Sequence, residues 1–378
     1  MNVETVSNLA RRLEQEVLAP LKRAFVGKDE IIDLLAVSLA ARENLFLYGP
    51  PGTAKSALVH SLASRIRGHT FDYLLSRFTE PNELFGPFDI RRLKEGDLVT
   101  NTEGMLPEAD VVFLDELLNA NSAILNSLLM ALNERIFRRG RETRAIPALF
   151  FVGASNHLPE DEALRALFDR FLLRVRCGPV PESQLGQVLS AGWDLETTHD
   201  AISGGLDAGD LREFQQAVKG VDLSTIRASY LALVIKLRHA GIDVSDRRAV
   251  RLQRVIAASA ILCGRLDARI SDLWVLRHIW DREEQIEVVE AIVSAATANE
   301  VADPADHTQA KGNRTPDPEA VARGLDEVEA RLGRDAADPA AADELRSLAN
   351  RVEWLPAGTA KDSLGRRADG LWAKIGQS

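Results

Sequence analysis

A short apolar run that ends in a glycine- and proline-rich turn constrains the fold of this chain more than any other feature. Residues 45–48 read Leu-Phe-Leu-Tyr, residues 49–56 read Gly-Pro-Pro-Gly-Thr-Ala-Lys-Ser, and a helical pattern runs from Lys55 to about Arg67. A buried strand of a parallel sheet has this continuous apolar character, and glycine and proline stop it. A strand, a tight turn and a helix in this order predict an α/β unit.

Apolar runs of the same character recur along the first half of the chain and alternate with helical patterns. The runs are Val111–Glu116, Ala148–Asn156 and Phe171–Cys177, and the helical patterns cover about residues 5–24, 29–42 and 122–135. Strands that alternate with helices are typical of a parallel sheet that carries helices on both faces. We therefore predict an α/β fold class for residues 1–180.

The turn between the first strand and its helix has the residues of a phosphate-binding loop. Its backbone N–H groups would surround the triphosphate of ATP, and its glycines permit close approach. Lys55 would reach the β- and γ-phosphates, and the Ser56 hydroxyl would bind Mg²⁺. Ala54 stands where the strict pattern has glycine. The predicted nucleotide-binding residues are Gly49, Pro50, Pro51, Gly52, Thr53, Ala54, Lys55, Ser56 and Ala57.

Polar side chains close two of the other predicted strands. Asp115 and Glu116 end the second strand, and Asn156 ends the third. Ligands of open α/β sheets bind at the carboxyl edge of the strands. Asp115 can hold Mg²⁺ there, and Glu116 can orient and activate the water that attacks the γ-phosphate. If the third strand lies between the first two, Asn156 would meet that water or the γ-phosphate.

Two arginine pairs are candidates for contacts with phosphate. Arg165 and Arg170 precede the fourth strand, where a side chain is remote from its own nucleotide but could reach that of a neighbouring subunit in a ring. Arg247 and Arg248 open a helix of the second domain. From there one of them could touch the γ-phosphate and couple nucleotide state to domain closure. The residues alone do not decide between the two positions of either pair.

The remaining segments predict inserts, a helical domain and a tail. Phe88–Thr100 and Ile136–Ile146 each have the pattern of two short strands around a glycine turn, which predicts β-hairpin inserts. Strand patterns end near residue 180, and residues 181–297 predict an all-helical lid domain. Residues 298–318 are polar and contain proline, as linkers do, and residues 319–378 predict a helical tail.

Composition disfavours several classes of protein. The 46 Lys and Arg residues against 56 Asp and Glu residues give a net charge of −10, which disfavours a general nucleic-acid-binding or membrane-surface role. Two cysteines cannot form a disulfide framework or a four-ligand zinc site, and the histidines lack metal-ligand spacing. No apolar run approaches the ~18 residues of a membrane span, and the N-terminus lacks a signal-peptide core. A cytoplasmic location is the expectation.

Several stretches resemble the AAA+ ATPases, and among these the RavA-type branch of the MoxR family. They are GPPGTAKS at 49–56, the segment 76–110 that begins SRFTEPNELFGPFDI, VVFLDELLNANSAILNSLLMALNER at 111–135, GASN at 153–156 and LFDRF at 167–171. These stretches follow the order and approximate spacing of the family. GTAKS is the family's own variant of the phosphate loop, and VSDRR at 244–248 resembles the second-sensor motif of this branch.

The resemblance implies roles for the acidic and loop residues. Lys55 and Ser56 become the phosphate and Mg²⁺ residues, Asp115 and Glu116 become the metal and water residues, and Asn156 becomes the first sensor.

The resemblance also implies roles for residues outside the predicted strand ends. Arg170 is implied as the arginine finger that acts on a neighbouring subunit, and Arg247 is implied as the second sensor. Val26 and Gly27 resemble the segment that lies near adenine. As a whole, the resemblance implies an AAA+ P-loop domain, a helical lid and a homo-hexamer. Such a ring hydrolyses ATP to remodel or mature a protein client, commonly with a partner that bears a von Willebrand factor A domain.

Two alternatives to a protein-remodelling motor stay open at this point. The first is a motor that acts on nucleic acid, because the second predicted hairpin is locally basic; its arginines are Arg138, Arg139, Arg141 and Arg144. The net charge and the lack of an added DNA-binding module disfavour it. The second alternative is a nucleotide switch without catalysis, which the presence of Glu116 and Arg170 disfavours.

Overall fold

The computed structural model describes most of the chain up to residue 310 and parts of the remainder. The described residues are 3–95, 98–140, 142–159, 161–197, 205–298, 303, 305–310, 318–333, 341, 344–345, 348–349, 352 and 358–375. A five-stranded parallel sheet lies at the centre of the first 180 residues. A hydrophobic core continues from this sheet into the helical region that follows it.

The central sheet contains all four predicted strands. In chain order the strands are β1 (Leu45–Tyr48), β2 (Ile66–Arg67), β3 (Thr70–Leu74), β4 (Val111–Asp115), β5 (Ile136–Arg139), β6 (Glu142–Ala145), β7 (Phe150–Ser155), β8 (Leu173–Arg176) and β9 (Leu206–Asp207). The sheet has the order β3-β4-β7-β1-β8, and each neighbouring pair in it is parallel. The predicted α/β fold class is confirmed, with β7 between β4 and β1.

Strand β3 lies at the edge of this sheet and was not predicted. It pairs with β4 alone, and most of its side chains are at least partly accessible to solvent. Strand β3 therefore lacks the continuous apolar run that identifies the other four strands of the sheet, whose side chains are mostly buried.

Helices flank the sheet and form most of the region that follows β8. In chain order they are α1 (Val3–Arg12), α2 (Ala19–Ala24), α3 (Asp29–Ala41), α4 (Lys55–Ala63), α5 (Pro81–Phe85), α6 (Ile90–Lys94), α7 (Ser122–Glu134), α8 (Glu162–Phe168), α9 (Leu185–Thr197), α10 (Ala208–Ala217), α11 (Arg227–His239), α12 (Asp246–Leu262), α13 (Ile286–Thr297), α14 (Pro318–Leu332) and α15 (Thr359–Ile375). A π-helical segment, Leu13–Leu18, joins α1 to α2, so the first predicted helix is continuous.

The prediction of a β-hairpin at Phe88–Thr100 is wrong. The segment contains the short helix α6, and its strand-like pairing is a single antiparallel bridge between Phe88 and Thr100 within the described residues. The Asp89 side chain accepts a hydrogen bond from the backbone N–H of Arg91 (2.8 Å). Because an aspartate in this position caps a helix, residues 90–94 turn into a helix and do not extend as a strand.

Two further pairs of short strands lie outside the central sheet. Within Ile136–Ile146, β5 and β6 form an antiparallel pair, and Gly140 in the turn has φ +58°. The parallel pair of β2 with β9 departs from the prediction of an all-helical region after residue 180. A two-residue strand is too short for a pattern of alternating hydrophobicity to reveal.

The prediction of a linker at 298–318 is wrong for the part of it that the structure describes. The Asp306 carboxylate accepts a hydrogen bond from the Ser271 hydroxyl (3.0 Å), and the ring of the buried His307 stacks on Trp274 at 4.7 Å between centroids. These residues are therefore part of the folded helical region. Farther along, α14 packs against α15 around a separate small hydrophobic core.

Candidate nucleotide site

The phosphate-loop sequence lies between β1 and α4, at the carboxyl edge of the sheet. Gly49 packs so closely on the strand-end residue Cys177 that a Cβ atom there would lie 2.0 Å from the Cys177 carbonyl oxygen. Gly52 has φ +79°, and Ala54 has φ +64°. A left-handed conformation costs a residue with a side chain about 1–3 kcal/mol, so Ala54 keeps the backbone shape of the strict motif at some cost.

The side chain of Lys55 is held inside this loop. Its ammonium donates hydrogen bonds to the carbonyl oxygens of Gly49 (2.6 Å) and Pro50 (2.9 Å), and the residue is only 7% exposed. A positive charge thus lies on the concave side of a loop that precedes a helix N-terminus, where a phosphate is favoured.

Ser56 and Asp115 meet across two elements, as the prediction of a shared Mg²⁺ site requires. The Ser56 hydroxyl, at the start of α4, donates a hydrogen bond to the carboxylate of Asp115 at the end of β4 (2.7 Å). Among the described residues there is no cluster of three His, Cys, Asp or Glu side chains that could hold a metal by itself. One hydroxyl and one carboxylate fit Mg²⁺, which takes few protein ligands and completes its shell with water and phosphate oxygens.

Glu116 follows Asp115 with a backbone that is unusual for a residue with a long side chain. Its φ is +49°, and its backbone N–H donates to the Asp115 carboxylate (2.9 Å). In the described part of the structure, its Oε2 atom is buried and has no hydrogen-bond partner. Strained backbone and an unpartnered buried carboxylate oxygen are typical of a functional position, because folding alone does not favour either.

Asn156 lies beside the phosphate loop. It directly follows Ser155, the last residue of β7, whose carbonyl oxygen accepts a hydrogen bond from the Gly49 N–H (3.1 Å). Asn156 itself is exposed at this edge. The arrangement β4-β7-β1 puts it between Asp115 and the loop, which is the position that the sequence predicted for it.

Val26 and Gly27 lie near the loop on its other side. Lys28 donates a hydrogen bond from its ammonium to the Gly178 carbonyl oxygen (2.5 Å), and Gly178 follows Cys177, which contacts Gly49. Gly27 has φ +72°, and a Cβ atom there would lie 2.6 Å from Oε1 of Gln184.

Gln184 was not predicted from the sequence. Its Oε1 atom is buried and has no hydrogen-bond partner in the part of the chain that the structure describes. A single glutamine in the loop before α9 carries no motif, so its approach to Gly27 emerges only from the fold.

Arg170 lies at the opposite end of the sheet from the phosphate loop. Its carbonyl oxygen accepts a hydrogen bond from the side chain of Asn44 (2.9 Å), and Asn44 directly precedes β1. A four-residue strand is roughly 13 Å long, so Arg170 is remote from its own loop, as predicted. The residue is half-buried, its Nε atom has no hydrogen-bond partner within the described residues, and Arg165 on α8 is exposed.

The structure does not place Arg247 or Arg248 at their own phosphate loop. Arg247 donates a hydrogen bond to the side chain of Asn133. The neighbouring Leu132 carbonyl oxygen accepts from Asn44 (3.3 Å), so Arg247 lies at the same end of the sheet as Arg170. The expectation that Arg247 touches its own γ-phosphate is therefore wrong for this arrangement, because the lid helix α12 packs against α3 at that end.

Arg248 belongs to a buried network that joins the sheet to the lid. It donates to both carboxylate oxygens of Asp281 (3.0 and 3.1 Å), and Asp281 also accepts from Arg174 on β8 (2.6 Å). Complete burial, with Arg248 nearby, lowers the pKa of Arg174 to about 9. A second link joins the Tyr48 hydroxyl, next to the phosphate loop, to the Glu283 carboxylate (3.1 Å). The lid is thus connected directly to the strand that carries the loop.

The arginines of the hairpin β5–β6 are largely engaged in contacts within the chain. Arg139 donates to the Gly86 carbonyl oxygen (2.7 Å) and lies over the Phe88 ring, and Arg144 donates to the Thr102 hydroxyl (3.0 Å). Arg138 is exposed, and Arg141 lies outside the described residues. These contacts weaken the interpretation of the hairpin as a nucleic-acid surface. Separately, none of the helices that the structure describes is both long and apolar enough to cross a bilayer.

Comparison with known proteins agrees with the geometry. Residues 11–216 match the family model described as the MoxR domain in MoxR-vWA-β-propeller ternary systems, and residues 223–293 match an AAA lid domain. Two uncharacterized proteins of Methanocaldococcus jannaschii are each 37% identical to this chain. One match spans 293 residues, 76% of this chain and 75% of the relative, and the other spans 271 residues, 71% of each.

Two more distant relatives are named for a function. Chaperone MoxR1 of Mycobacterium tuberculosis is 28% identical over 210 residues, which is 53% of each chain. The solved structure of a candidate ATPase from Cytophaga hutchinsonii has a TM-score of 0.62 at 17% identity and covers 77% of this chain and 96% of that one, which shows the fold. Because the family model matches more than half of the residues of this chain, the chain belongs to the MoxR family of AAA+ ATPases.

Proposed function

We propose that this protein is a Mg²⁺-dependent ATPase that works as a ring, remodelling or maturing a protein complex. The observation that carries the proposal is the convergence at one sheet edge of Lys55 in its loop, the Ser56–Asp115 pair and the unpartnered Glu116 carboxylate. Family membership implies nucleotide binding, and hydrolysis by this chain is our inference from these side chains.

The residues at the sheet edge would divide the binding of ATP between them. The backbone N–H groups of residues 49–56 and the ammonium of Lys55 would hold the phosphates. Ser56 and Asp115 would hold Mg²⁺, which, when bound, neutralises charge on the β- and γ-phosphates. Gln184, next to Gly27, offers a buried carbonyl oxygen that could accept a hydrogen bond from the amino group of adenine.

Hydrolysis requires an oriented water at the γ-phosphate. Glu116 would accept a hydrogen bond from that water and its proton as the water attacks, because its Oε2 is buried without competing donors in the described structure. Asn156, between the loop and Asp115, would fix the position of the water or the γ-phosphate through its amide.

A ring explains the position of the arginines. Arg170 and Arg247 lie together at the end of the sheet remote from their own loop, so each could serve only the nucleotide of a neighbouring subunit. An arginine supplied from a neighbour stabilises the charge that develops in phosphoryl transfer. We therefore assign Arg170 as the finger and move the proposed second-sensor role of Arg247 from its own subunit to the adjacent one.

The proposed partner and client come from the family. The matched model is described from systems that combine MoxR, a von Willebrand factor A domain and a β-propeller, and this supports a partner with a von Willebrand factor A domain. The name of the distant relative Chaperone MoxR1 supports a chaperone-like role. Three further proposals rest on the sequence motifs. They are a hexamer, a division of the chain into residues 1–180 and a lid at 181–297, and a place in the RavA-type branch.

Nucleotide binding is tested first by Lys55→Ala. Loss of the ammonium from the loop should reduce ATP affinity below detection, since no other side chain in the described loop supplies a positive charge to the phosphates. Isothermal titration calorimetry with ATP in the presence of Mg²⁺ measures the affinity for ATP. The matched control is Lys219→Ala, because Lys219 is exposed and lies outside the loop. This variant should bind ATP with the affinity of the unaltered chain.

Unchanged ATP affinity in Lys55→Ala would contradict the loop assignment. The unaltered protein tests the nucleic-acid alternative. Addition of DNA should leave its ATPase rate unchanged. A DNA-stimulated rate that falls steeply with salt would favour the nucleic-acid motor instead.

A further inference from the structure

Helix α9 presents an apolar face that no part of the described chain covers. Leu185, Leu189 and Trp193 follow one another at intervals of four residues, so they lie on one side of the helix. Their exposed fractions are 50%, 67% and 66%, and no residue of α9 is fully buried. We call these three residues the α9 stripe. Large apolar side chains that are contiguous and exposed are typical of a surface that another chain covers.

The α9 stripe borders the nucleotide site, and the segment that carries it contains only acidic charged residues. Gln184, which contacts Gly27, directly precedes the helix. Residues 181–197 contain no Lys, Arg or His, and their charged residues are Glu182, Asp194 and Glu196. A partner surface should therefore combine an exposed apolar residue with positive charge.

Such a surface exists at the other end of the same molecule. On α12, Arg247, Val250 and Arg254 are spaced by three and four residues and share a face; Val250 is 65% exposed and the Arg254 side chain is 53% exposed. Arg170 lies beside them through the Asn44 contacts. We call these four residues the arginine edge.

The arginine edge carries an excess of positive charge. Arg254 of this edge and the adjacent Arg251 both lie within ion-pair distance of the buried Glu43, which therefore offsets only part of their charge. The arginines here are Arg42, Arg135, Arg170, Arg247, Arg251 and Arg254, and the acidic residues are Glu43, Glu134, Asp169 and Asp246.

We propose that the α9 stripe of one subunit packs on the arginine edge of a second copy of this chain. The two surfaces lie toward opposite ends of the sheet, so they cannot meet within one molecule. A contact between two different surfaces of identical chains repeats head to tail, and it forms a ring when the rotation between neighbours closes. The same contact would bring Arg170 of one copy to the nucleotide site that the α9 stripe borders in the next. The inference rests on the proposed ring ATPase and names the surfaces that build it.

The test compares assembly of full-length variants by analytical ultracentrifugation with Mg²⁺ and the non-hydrolysable analogue adenylyl imidodiphosphate. Leu189→Arg places a positive charge against the arginine edge and should raise the protein concentration needed for half assembly by at least roughly tenfold. Leu231→Arg is the matched control, because Leu231 is 60% exposed on α11 and belongs to neither the α9 stripe nor the arginine edge, and this variant should assemble normally.

A charge swap tests the pairing itself. Val250→Glu should also weaken assembly, and the double variant Leu189→Arg with Val250→Glu should restore it, because the new charges attract. Circular dichroism and binding of the analogue by the unassembled variants establish that they fold. Trp193→Ser, which adds no charge, provides a second disruption of the α9 stripe and should weaken assembly as well.

Distinct results would overturn this inference and the proposed function. Three results would overturn the assignment of these surfaces, even if the unaltered chain forms an active ring. The first is that both Leu189→Arg and Trp193→Ser assemble at the same protein concentrations as the unaltered chain. The others are that Leu231→Arg weakens assembly as much as Leu189→Arg does, or that the charge swap does not restore assembly. Absence of assembly and of ATP hydrolysis in the unaltered chain would overturn the ring ATPase itself.

Discussion

Replacing Glu116 with glutamine is expected to preserve ATP binding and to lower the rate of hydrolysis by about 10²–10⁴-fold. Glutamine has nearly the same shape, but its amide cannot take a proton from the attacking water. The carboxylate has the position for this task, since it follows Asp115 at the sheet edge and its Oε2 is buried without a partner in the described structure. Phosphate release in the steady state measures turnover, and titration with ATP measures binding.

The matched control for this variant is Glu213→Gln, the same change at an exposed position on α10. It should leave both turnover and binding unchanged. If Glu116→Gln hydrolysed ATP at the rate of the unaltered protein, Glu116 would have no part in activating water. A non-catalytic nucleotide switch would be supported instead if the assembled, unaltered protein itself showed no turnover.

Replacing Arg170 with alanine is expected to lower turnover by about 10³-fold or more while the affinity of each subunit for ATP stays the same. The residue is remote from its own loop, so its loss removes nothing from nucleotide binding within the subunit. The carbonyl oxygen of Arg170 accepts a hydrogen bond from the fully buried Asn44, which fixes the backbone of Arg170 at a defined place in the subunit. Titration with ATP and steady-state phosphate release measure the two quantities.

Arg165→Ala serves as the comparison for this variant, because Arg165 is exposed on α8 and close in sequence. Turnover in Arg165→Ala should stay within a factor of a few of the unaltered rate. The reverse pattern, with loss in Arg165→Ala and not in Arg170→Ala, would transfer the role of the finger to Arg165.

The nucleotide site was largely predictable from the sequence because its parts are local. Asp115, Glu116 and Asn156 stand in or directly after strands with continuous apolar runs, and the loop that carries Lys55 and Ser56 follows another such strand. In a parallel sheet the carboxyl ends of the strands meet at one edge. The contact of Ser56 with Asp115 across 59 residues follows from that rule without knowledge of the intervening segment.

Features that depend on exposure or on short elements were not predictable in the same way. Strand β3 lies at the sheet edge and has no continuous apolar run, and the turn-like pattern of Phe88–Thr100 concealed the cap at Asp89 that starts a helix. Patterns of hydrophobicity report burial, so they say little about segments that are only partly buried.

The role of Arg247 shows a different limit. Its motif was recognisable, but which phosphate it could reach depends on how the lid packs against the first domain. The contact with Asn133 holds Arg247 at the amino end of β1, and the buried network around Asp281 joins the lid to β8. No local pattern encodes that placement, and the same is true of the approach of Gln184 to Gly27.

The most direct test of the shared nucleotide site mixes two inactive variants. Lys55→Ala subunits should fail to bind ATP but carry Arg170, and Arg170→Ala subunits should bind ATP but lack the proposed finger. If each site takes its arginine from a neighbour, mixed rings should recover ATP hydrolysis, with a maximum when both variants are abundant. If the mixture stays as inactive as its components while mixed assemblies are shown to form, the arginine does not come from the adjacent subunit and the account is contradicted.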